Sequence, residues 1–169
     1  DITRTFPVNG RFSKEQRALH DLVCTAQAAA LAQSRPGVAY EAGHDAAVAT
    51  LTEGLLSLGL LKGRLETAIG RGEYKRFYRH KTGHWLGLDV HDVGEYRIDG
   101  ESRLLEPGMV FTLEPGLYIP SDDASVPAKW RGIGIRIEDD VVVTDGDPEV
   151  LTSHVPNDPA AIEALMARR

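Results

Sequence analysis

The first seventy residues carry hydrophobic side chains mainly at the three- and four-residue spacing of α-helices. Ser13 followed three positions later by Gln16 is a capping-box pattern, which predicts that a helix begins there. The Pro-Gly pair at 36–37 predicts where this helix ends. A second helix is predicted over residues 40–58 and a short third one over 64–69. The hydrophobic positions of the first helix are Leu19, Leu22, Val23, Ala26 and Ala30.

Strands are predicted where the hydrophobic period changes to two. Residues 1–8 alternate in this way, and so do residues 109–114 and 133–144. The Asp-Asp pair at 139–140 is expected to form a turn or bulge inside the last of these strands. Asp158 followed by Pro159 predicts the start of a final helix. A strand, then helices, then strands indicate an α+β domain with an antiparallel sheet.

Composition narrows the class of protein. The 169 residues are enough for one domain with a hydrophobic core, and the formal net charge is −6. This charge argues against nucleic acid or an anionic membrane surface as the main partner, since both favour clustered Lys and Arg. No apolar run approaches the ~20 residues of a membrane-spanning helix. Cys24 is the single cysteine, which fits a reducing compartment and an expected cytoplasmic location.

Carboxylates occupy the less apolar faces of the three predicted strands. Asp1 shares a face with Thr3 and Thr5, while Glu114 and Glu138 lie opposite the core-facing positions of their own strands. Exposed strand faces usually carry mixed polar residues, so this placement alone is weak support for a functional site.

The segment "HKTGHWLGLDVHDVG" adds three imidazoles, from His80, His84 and His91. Carboxylates with a few imidazoles are the ligand set of Mn, Fe, Co or Zn, and two such ions close together can activate water for hydrolysis. A loop histidine taken singly is more often a surface residue than a ligand. Arg136 is either a surface cation or a group that orients the ligand carboxylate two positions away, at Glu138.

Four segments in order make the signal specific: "DITRTFPVNGRFS", "HKTGHWLGLDVHDVG", "LEPGMVFTLEPGLYIP" and "RGIGIRIEDDVVVT". Together they resemble aminopeptidase P, the Xaa-Pro aminopeptidase family. The resemblance covers essentially the whole chain. It implies the pita-bread fold of creatinase and methionine aminopeptidase, an α+β fold whose curved antiparallel sheet is covered by helices. Residues 1–169 resemble the carboxy-terminal portion of the catalytic domain, without the amino-terminal domain and the first half of the catalytic domain.

The resemblance implies two divalent metal ions, usually manganese, with zinc, cobalt or iron as alternatives. It assigns four of the family's five ligands to this chain; the fifth is an aspartate upstream of the first residue. His80 and His91 resemble histidines that line the substrate pocket, and Arg136 resembles an arginine behind the ligands. The four implied ligands are Asp1, His84, Glu114 and Glu138.

The activity implied is hydrolysis of the amino-terminal Xaa-Pro bond of a peptide with proline at its second position, with Glu114 carrying the proton. The nearest alternative is prolidase, which cleaves Xaa-Pro dipeptides, and a catalytically dead binding module is the alternative from another class. The intact protein is expected to be a homo-oligomer. The 169-residue segment alone is expected to need the upstream portion as its partner, to bind metal poorly and to be inactive.

Overall fold

The computed structural model describes residues 1–168. Within them the α-helices are Lys14–Ala32 (α1), Tyr40–Ser57 (α2), Leu65–Gly70 (α3) and Pro159–Met166 (α4). The strands are Arg97–Ile98 (β1), Glu101–Ser102 (β2), Val110–Leu113 (β3), Gly116–Tyr118 (β4), Gly134–Arg136 (β5), Asp139–Val142 (β6) and Glu149–Val150 (β7). Short 3₁₀ helices span Glu73–Arg76 and Ala128–Trp130.

The helix predictions are confirmed at their starts. The Ser13 hydroxyl accepts from the Gln16 amide at 3.1 Å, and the Gln16 side chain accepts from the Ser13 amide at 2.8 Å. Asp158 caps α4 by accepting from the Ala161 amide at 2.9 Å. Helix α1 ends at Ala32, a few residues before the predicted stop. These caps satisfy amide groups that the helix itself leaves unpaired.

All described strand pairs are antiparallel, as predicted. Strand β3 pairs with β6, which also pairs with β7, and β4 pairs with β5. The pairing of β3 with β6 stops at Leu113 opposite Asp139, and the pairing of β4 with β5 resumes at Gly116 opposite Arg136. Residues 114–115 and 137–138 therefore lie in a gap between two paired stretches.

Two strand predictions were wrong in detail. Residues 1–8 form only an isolated bridge, Thr3 to Glu138, because the partner backbone lies in the gap just described. The expected turn or bulge at 139–140 does not form. Both aspartates lie inside β6 and are buried, and the interruption falls at 137–138 instead. Asp139 is tolerated in a buried strand because Arg4 and other polar side chains satisfy its carboxylate.

One hydrophobic core joins helices α1 and α2 to the inner faces of the strands. Gly54 of α2 faces Leu22 of α1 so closely that a Cβ there would lie 2.3 Å from a Leu22 methyl carbon. The isoleucines at 135 and 137 are buried, as their alternation predicted. Among the largest side chains of this core that are fully buried are Tyr78, Phe77, Leu19, Leu51, Leu55 and Leu117. Within residues 1–168, no helix combines the length and the apolar character that a bilayer crossing requires.

His20 is buried inside this core beside helix α4. Its Nε2 has no hydrogen-bond partner among the described residues, and its ring packs edge-on against Phe12 at 5.0 Å between centroids. Burial lowers the pKa of His20, with Asp21 opposing the shift. Burial also lowers the pKa of His44. Both imidazoles are therefore harder to protonate in the folded state than in the unfolded chain.

We expect the metal-free protein to lose stability as pH falls below about 6.5, the ordinary histidine value. The unfolded chain binds protons there that the folded state resists, and each such proton contributes a slope of up to about 1.4 kcal/mol per pH unit. Urea unfolding in chelator between pH 5 and 8 measures the slope. His20→Gln should make the slope of unfolding free energy against pH smaller, and His44 should account for the slope that remains. The exposed His154→Gln controls for loss of one imidazole, and an unchanged slope in His20→Gln would contradict the assignment.

Candidate metal centre

Four of the predicted site residues converge from four separate parts of the chain. Asp1 comes from the segment before α1, and His84 from the loop between the Glu73–Arg76 3₁₀ helix and β1. Glu114 directly follows β3, and Glu138 directly precedes β6. Both glutamates therefore lie in the gap in strand pairing.

The donor atoms of these residues are close enough to share ions. His84 Nε2 lies 3.5 Å from an Asp1 carboxylate oxygen and 3.7 Å from a Glu114 carboxylate oxygen. His84, Glu114 and Glu138 each place one donor atom within 4.8 Å of the others, and so do Asp1, His84 and His91. The two groups share His84, so the donors form one continuous cluster.

The backbone fixes His84 at the centre of this cluster. Its amide donates to the Thr112 hydroxyl at 3.1 Å, and its carbonyl accepts from the Thr112 amide at 2.9 Å. Its Nδ1 lies 3.0 Å from the Trp85 carbonyl, which can only accept, so Nδ1 carries the proton. In the neutral ring, Nε2 then carries the lone pair and faces the carboxylates, which is the form that a metal-binding histidine takes.

Glu138 is the most deeply buried of the predicted ligands, at 4% exposure. The Thr3 hydroxyl donates to its carboxylate, and the two residues also exchange backbone hydrogen bonds. Arg136, expected to orient this carboxylate, reaches it through Thr3: its Nε lies 3.4 Å from the Thr3 hydroxyl. The Thr5 hydroxyl bonds the Arg136 backbone, donating to its carbonyl at 2.9 Å and accepting from its amide at 3.1 Å.

His80 is held at the edge of the cluster by Tyr118. Its Nδ1 donates to the Lys81 carbonyl at 2.7 Å, so in the neutral ring Nε2 accepts from the Tyr118 hydroxyl, also at 2.7 Å. A hydrogen bond with Tyr118 raises the pKa of Arg136, and burial raises the pKa of Tyr118. Arg136, Tyr118 and His80 thus form a chain of hydrogen bonds along one wall of the site.

His91 lies on the open side of the site. Its ring is exposed and stands edge-on to His84, with 4.4 Å between centroids. The loop that carries it is anchored where the Asp92 amide donates to the Trp85 carbonyl at 3.1 Å and Trp85 stacks on Tyr96. His91 can therefore meet a molecule that approaches from solvent.

Sequence reasoning missed two polar residues at this site. Tyr118 continues the two-residue period that includes Glu114 and Gly116, which would have placed it on the same face. Gln27 is the one amide on the hydrophobic stripe of α1 and is 7% exposed. A lone amide among apolar positions was the available signal, because a buried amide needs partners.

The donor set fits divalent metal ions. Three carboxylates and a neutral imidazole are ligands for Mn, Fe, Co or Zn, and there is no thiolate, since Cys24 lies in α1. Carboxylates this close repel one another unless a cation lies between them. The geometry therefore favours cation binding at this cluster.

Comparison with known proteins gives a consistent match. The model of metallopeptidase family M24 matches residues 1–145. A curated Xaa-Pro aminopeptidase of Haemophilus influenzae is 51% identical over 166 residues, which are 98% of this chain and 38% of that protein. The solved structure of Pseudomonas aeruginosa aminopeptidase PepP is 58% identical with a TM-score of 0.98, over 99% of this chain and 38% of that one.

A further similar solved structure contains zinc and a bound product. Zinc-substituted Escherichia coli aminopeptidase P in complex with product is 50% identical with a TM-score of 0.93, over 99% of this chain and 38% of that one. The chain thus spans somewhat over a third of the length of these relatives. The similarity confirms the expected pita-bread fold, and the roles of individual residues remain predictions.

Gly83 is expected to tolerate no side chain. A Cβ at this position would lie 1.9 Å from the Thr112 carbonyl oxygen, a rigid backbone atom, next to the His84 contacts. Gly83→Ala should lower the free energy of unfolding by about 1–3 kcal/mol, as overpacking does. Gly70→Ala is the matched control, because no atom lies within 4 Å of its Cβ position at the end of α3. Equal stability of the two variants in urea unfolding would contradict the close approach.

Proposed function

The chain belongs to metallopeptidase family M24, and from this premise we propose that it is the carboxy-terminal part of the catalytic domain of an Xaa-Pro aminopeptidase. The substrate is a peptide with proline at its second position, and the product is the residue before that proline. The observation that carries the proposal is the convergence of Asp1, His84, Glu114 and Glu138 on one cluster. A binding module without catalysis would have no need of this donor set.

The proposed cofactor is a pair of divalent ions, with manganese expected and zinc, cobalt or iron as alternatives. The four converging residues would hold them, together with an aspartate contributed by sequence upstream of Asp1. When bound, the ions polarise the scissile carbonyl and lower the pKa of bound water toward neutrality. Two ions rather than one are supported by the number of carboxylates that converge on His84, since close carboxylates repel one another unless cations lie between them.

Glu114 is the proposed proton carrier. Its carboxylate is partly accessible at the centre of the cluster, while Glu138 is buried and accepts from Thr3. A partly accessible carboxylate can take a proton from water and deliver it to the proline nitrogen as the bond breaks. That nitrogen needs a proton to leave as an amine.

The two flanking histidines have different proposed roles. His91 is exposed beside His84, so it can donate a hydrogen bond to the carbonyl oxygen as negative charge develops there. Both ring nitrogens of His80 are occupied, by Lys81 and Tyr118. His80 therefore offers the proline ring a fixed imidazole edge rather than a free nitrogen.

The direct test is peptide hydrolysis by the complete gene product that contains these residues. With manganese, we expect cleavage of an Xaa-Pro-Xaa tripeptide after its first residue, and loss of cleavage after chelation. The 169-residue segment alone, assayed alongside, is expected to be inactive because it carries four of the five proposed ligands.

The substrate series also separates the alternatives. A tripeptide with alanine in place of proline is the control and should be cleaved poorly. Cleavage of Xaa-Pro dipeptides alone would identify a prolidase. Absence of any hydrolysis with manganese, zinc, cobalt or iron would overturn the proposal, and full activity of the segment would overturn the need for upstream residues.

Glu114→Ala should reduce kcat by at least about 100-fold while leaving the fold intact, because the proton carrier is removed. Glu106→Ala is the matched control: it changes the same Leu-Glu-Pro-Gly motif eight positions earlier, at an exposed site. Steady-state kinetics, metal content and circular dichroism of both variants make the comparison. Retained turnover in Glu114→Ala would remove this residue from proton transfer.

A further inference from the structure

A buried polar cluster lies directly behind the candidate metal centre, between α1 and the sheet. Gln27, Asp139 and Thr152 are each less than a tenth exposed, and the Arg4 side chain is 10% exposed. These four residues, here called the support cluster, bond one another and the backbone beside the proposed ligands. Buried polar groups cost free energy unless they are paired, so their partners are informative.

Gln27 bonds the backbone next to both glutamates. Its Nε2 lies 3.1 Å from the Leu113 carbonyl and 3.4 Å from the Ile137 carbonyl, and these residues immediately precede Glu114 and Glu138. An Asp139 carboxylate oxygen lies 3.0 Å away, so the two N–H groups of the amide are shared among three acceptors. The amide thus bonds both strand segments that flank the gap in pairing, next to each glutamate.

Arg4 joins the segment that carries Asp1 to the strand that carries Glu138. Its Nη1 donates to the Glu138 carbonyl at 2.7 Å and to the Thr3 carbonyl at 3.0 Å. Its Nη2 donates to Asp139 at 2.6 Å and to the Val155 carbonyl at 2.7 Å. This single guanidinium fixes two separate chain segments relative to each other.

Asp139 completes the support cluster. One carboxylate oxygen accepts from Arg4 and from the Thr152 hydroxyl, each at 2.6 Å, and the other accepts from Gln27. A buried ion pair whose remaining hydrogen-bonding capacity is satisfied in this way is stable, whereas a buried charge left alone is not. The network therefore favours one arrangement of three segments.

We propose that the support cluster positions the metal ligands, with Gln27 as its central positioning residue. It sets the spacing of Asp1, Glu114 and Glu138 through the backbone, without touching the ions. Ligand distances in a metal site are tolerated within about 0.2 Å, so small backbone shifts at the gap weaken binding. The inference rests on the proposed function, since the ligand spacing matters only if ions bind.

The test measures manganese affinity of Gln27→Met in the complete gene product. Methionine has nearly the same length as glutamine but donates no hydrogen bond, so the Leu113 and Ile137 carbonyls lose their partner. We expect manganese to bind about tenfold or more weakly, the range seen when groups behind metal ligands are changed. Titration of metal-free protein followed by electron paramagnetic resonance gives the affinity. The visible spectrum of the cobalt-loaded variant should also change.

Thr152→Val and Leu51→Ala separate positioning from general stability. Thr152→Val is nearly isosteric and removes one hydrogen bond to Asp139, so it should weaken manganese binding in the same direction but less. Leu51 is fully buried in α2, a helix that contributes no residue to the support cluster. Leu51→Ala should lower the melting temperature while leaving manganese affinity within about threefold of the unaltered protein.

The outcomes are distinguishable. Failure of the unaltered protein to bind any of manganese, zinc, cobalt or iron would overturn the proposed function, and this inference with it. Normal binding by folded Gln27→Met and Thr152→Val would overturn the inference alone. It would also be overturned if Leu51→Ala lost affinity in proportion to its melting temperature, since the cluster would then act only through global stability.

Discussion

Mutual repulsion of close carboxylates is the constraint on which the rest of this structure depends. Asp1 and Glu114 lie within 4 Å of the same imidazole nitrogen of His84, and Glu138 completes the group. In a flexible arrangement the three carboxylates would move apart, and the electrostatic energy of holding them together rises as water is excluded. The fold has to hold these side chains from the backbone, so that the cluster is ready for a cation.

The interruption of the sheet meets this constraint. Uninterrupted pairing would point alternate side chains to opposite faces at regular spacing, whereas the gap at 114–115 and 137–138 lets both glutamates turn toward His84. The gap leaves backbone groups that need partners. Thr3 bonds the Glu138 backbone, the Thr82 carbonyl accepts from the Glu114 amide, and Gln27 donates to the Ile137 carbonyl. The gap in strand pairing and the polar residues that bond its backbone therefore depend on each other.

The two arginines near the site also follow from this constraint. Among the described residues, neither Arg4 nor Arg136 forms an ion pair with a proposed ligand, although Arg136 is close enough to feel the charges of Glu114 and Glu138. Arg4 bonds backbone carbonyls and Asp139, and Arg136 bonds Tyr118 and Thr3. An arginine paired with the ligand carboxylates would compete with a metal ion for the same oxygens. Because the two arginines bond other groups, they stabilise the backbone around the site and leave the ligand carboxylates free to bind a cation.

The sequence by itself determined where the four helices begin, the strands β3, β5 and β6 and the candidate ligands, because these depend on local periodicity, capping and motif. Only the tertiary structure decided that residues 1–8 make a single bridge and that Asp139 is buried in β6, since both depend on where distant partners lie. The contacts of Gln27 were likewise hidden, because one amide on an apolar stripe can be interpreted only once its acceptors are known. Local patterns record which residues can pair, whereas long-range packing selects the pairs that form.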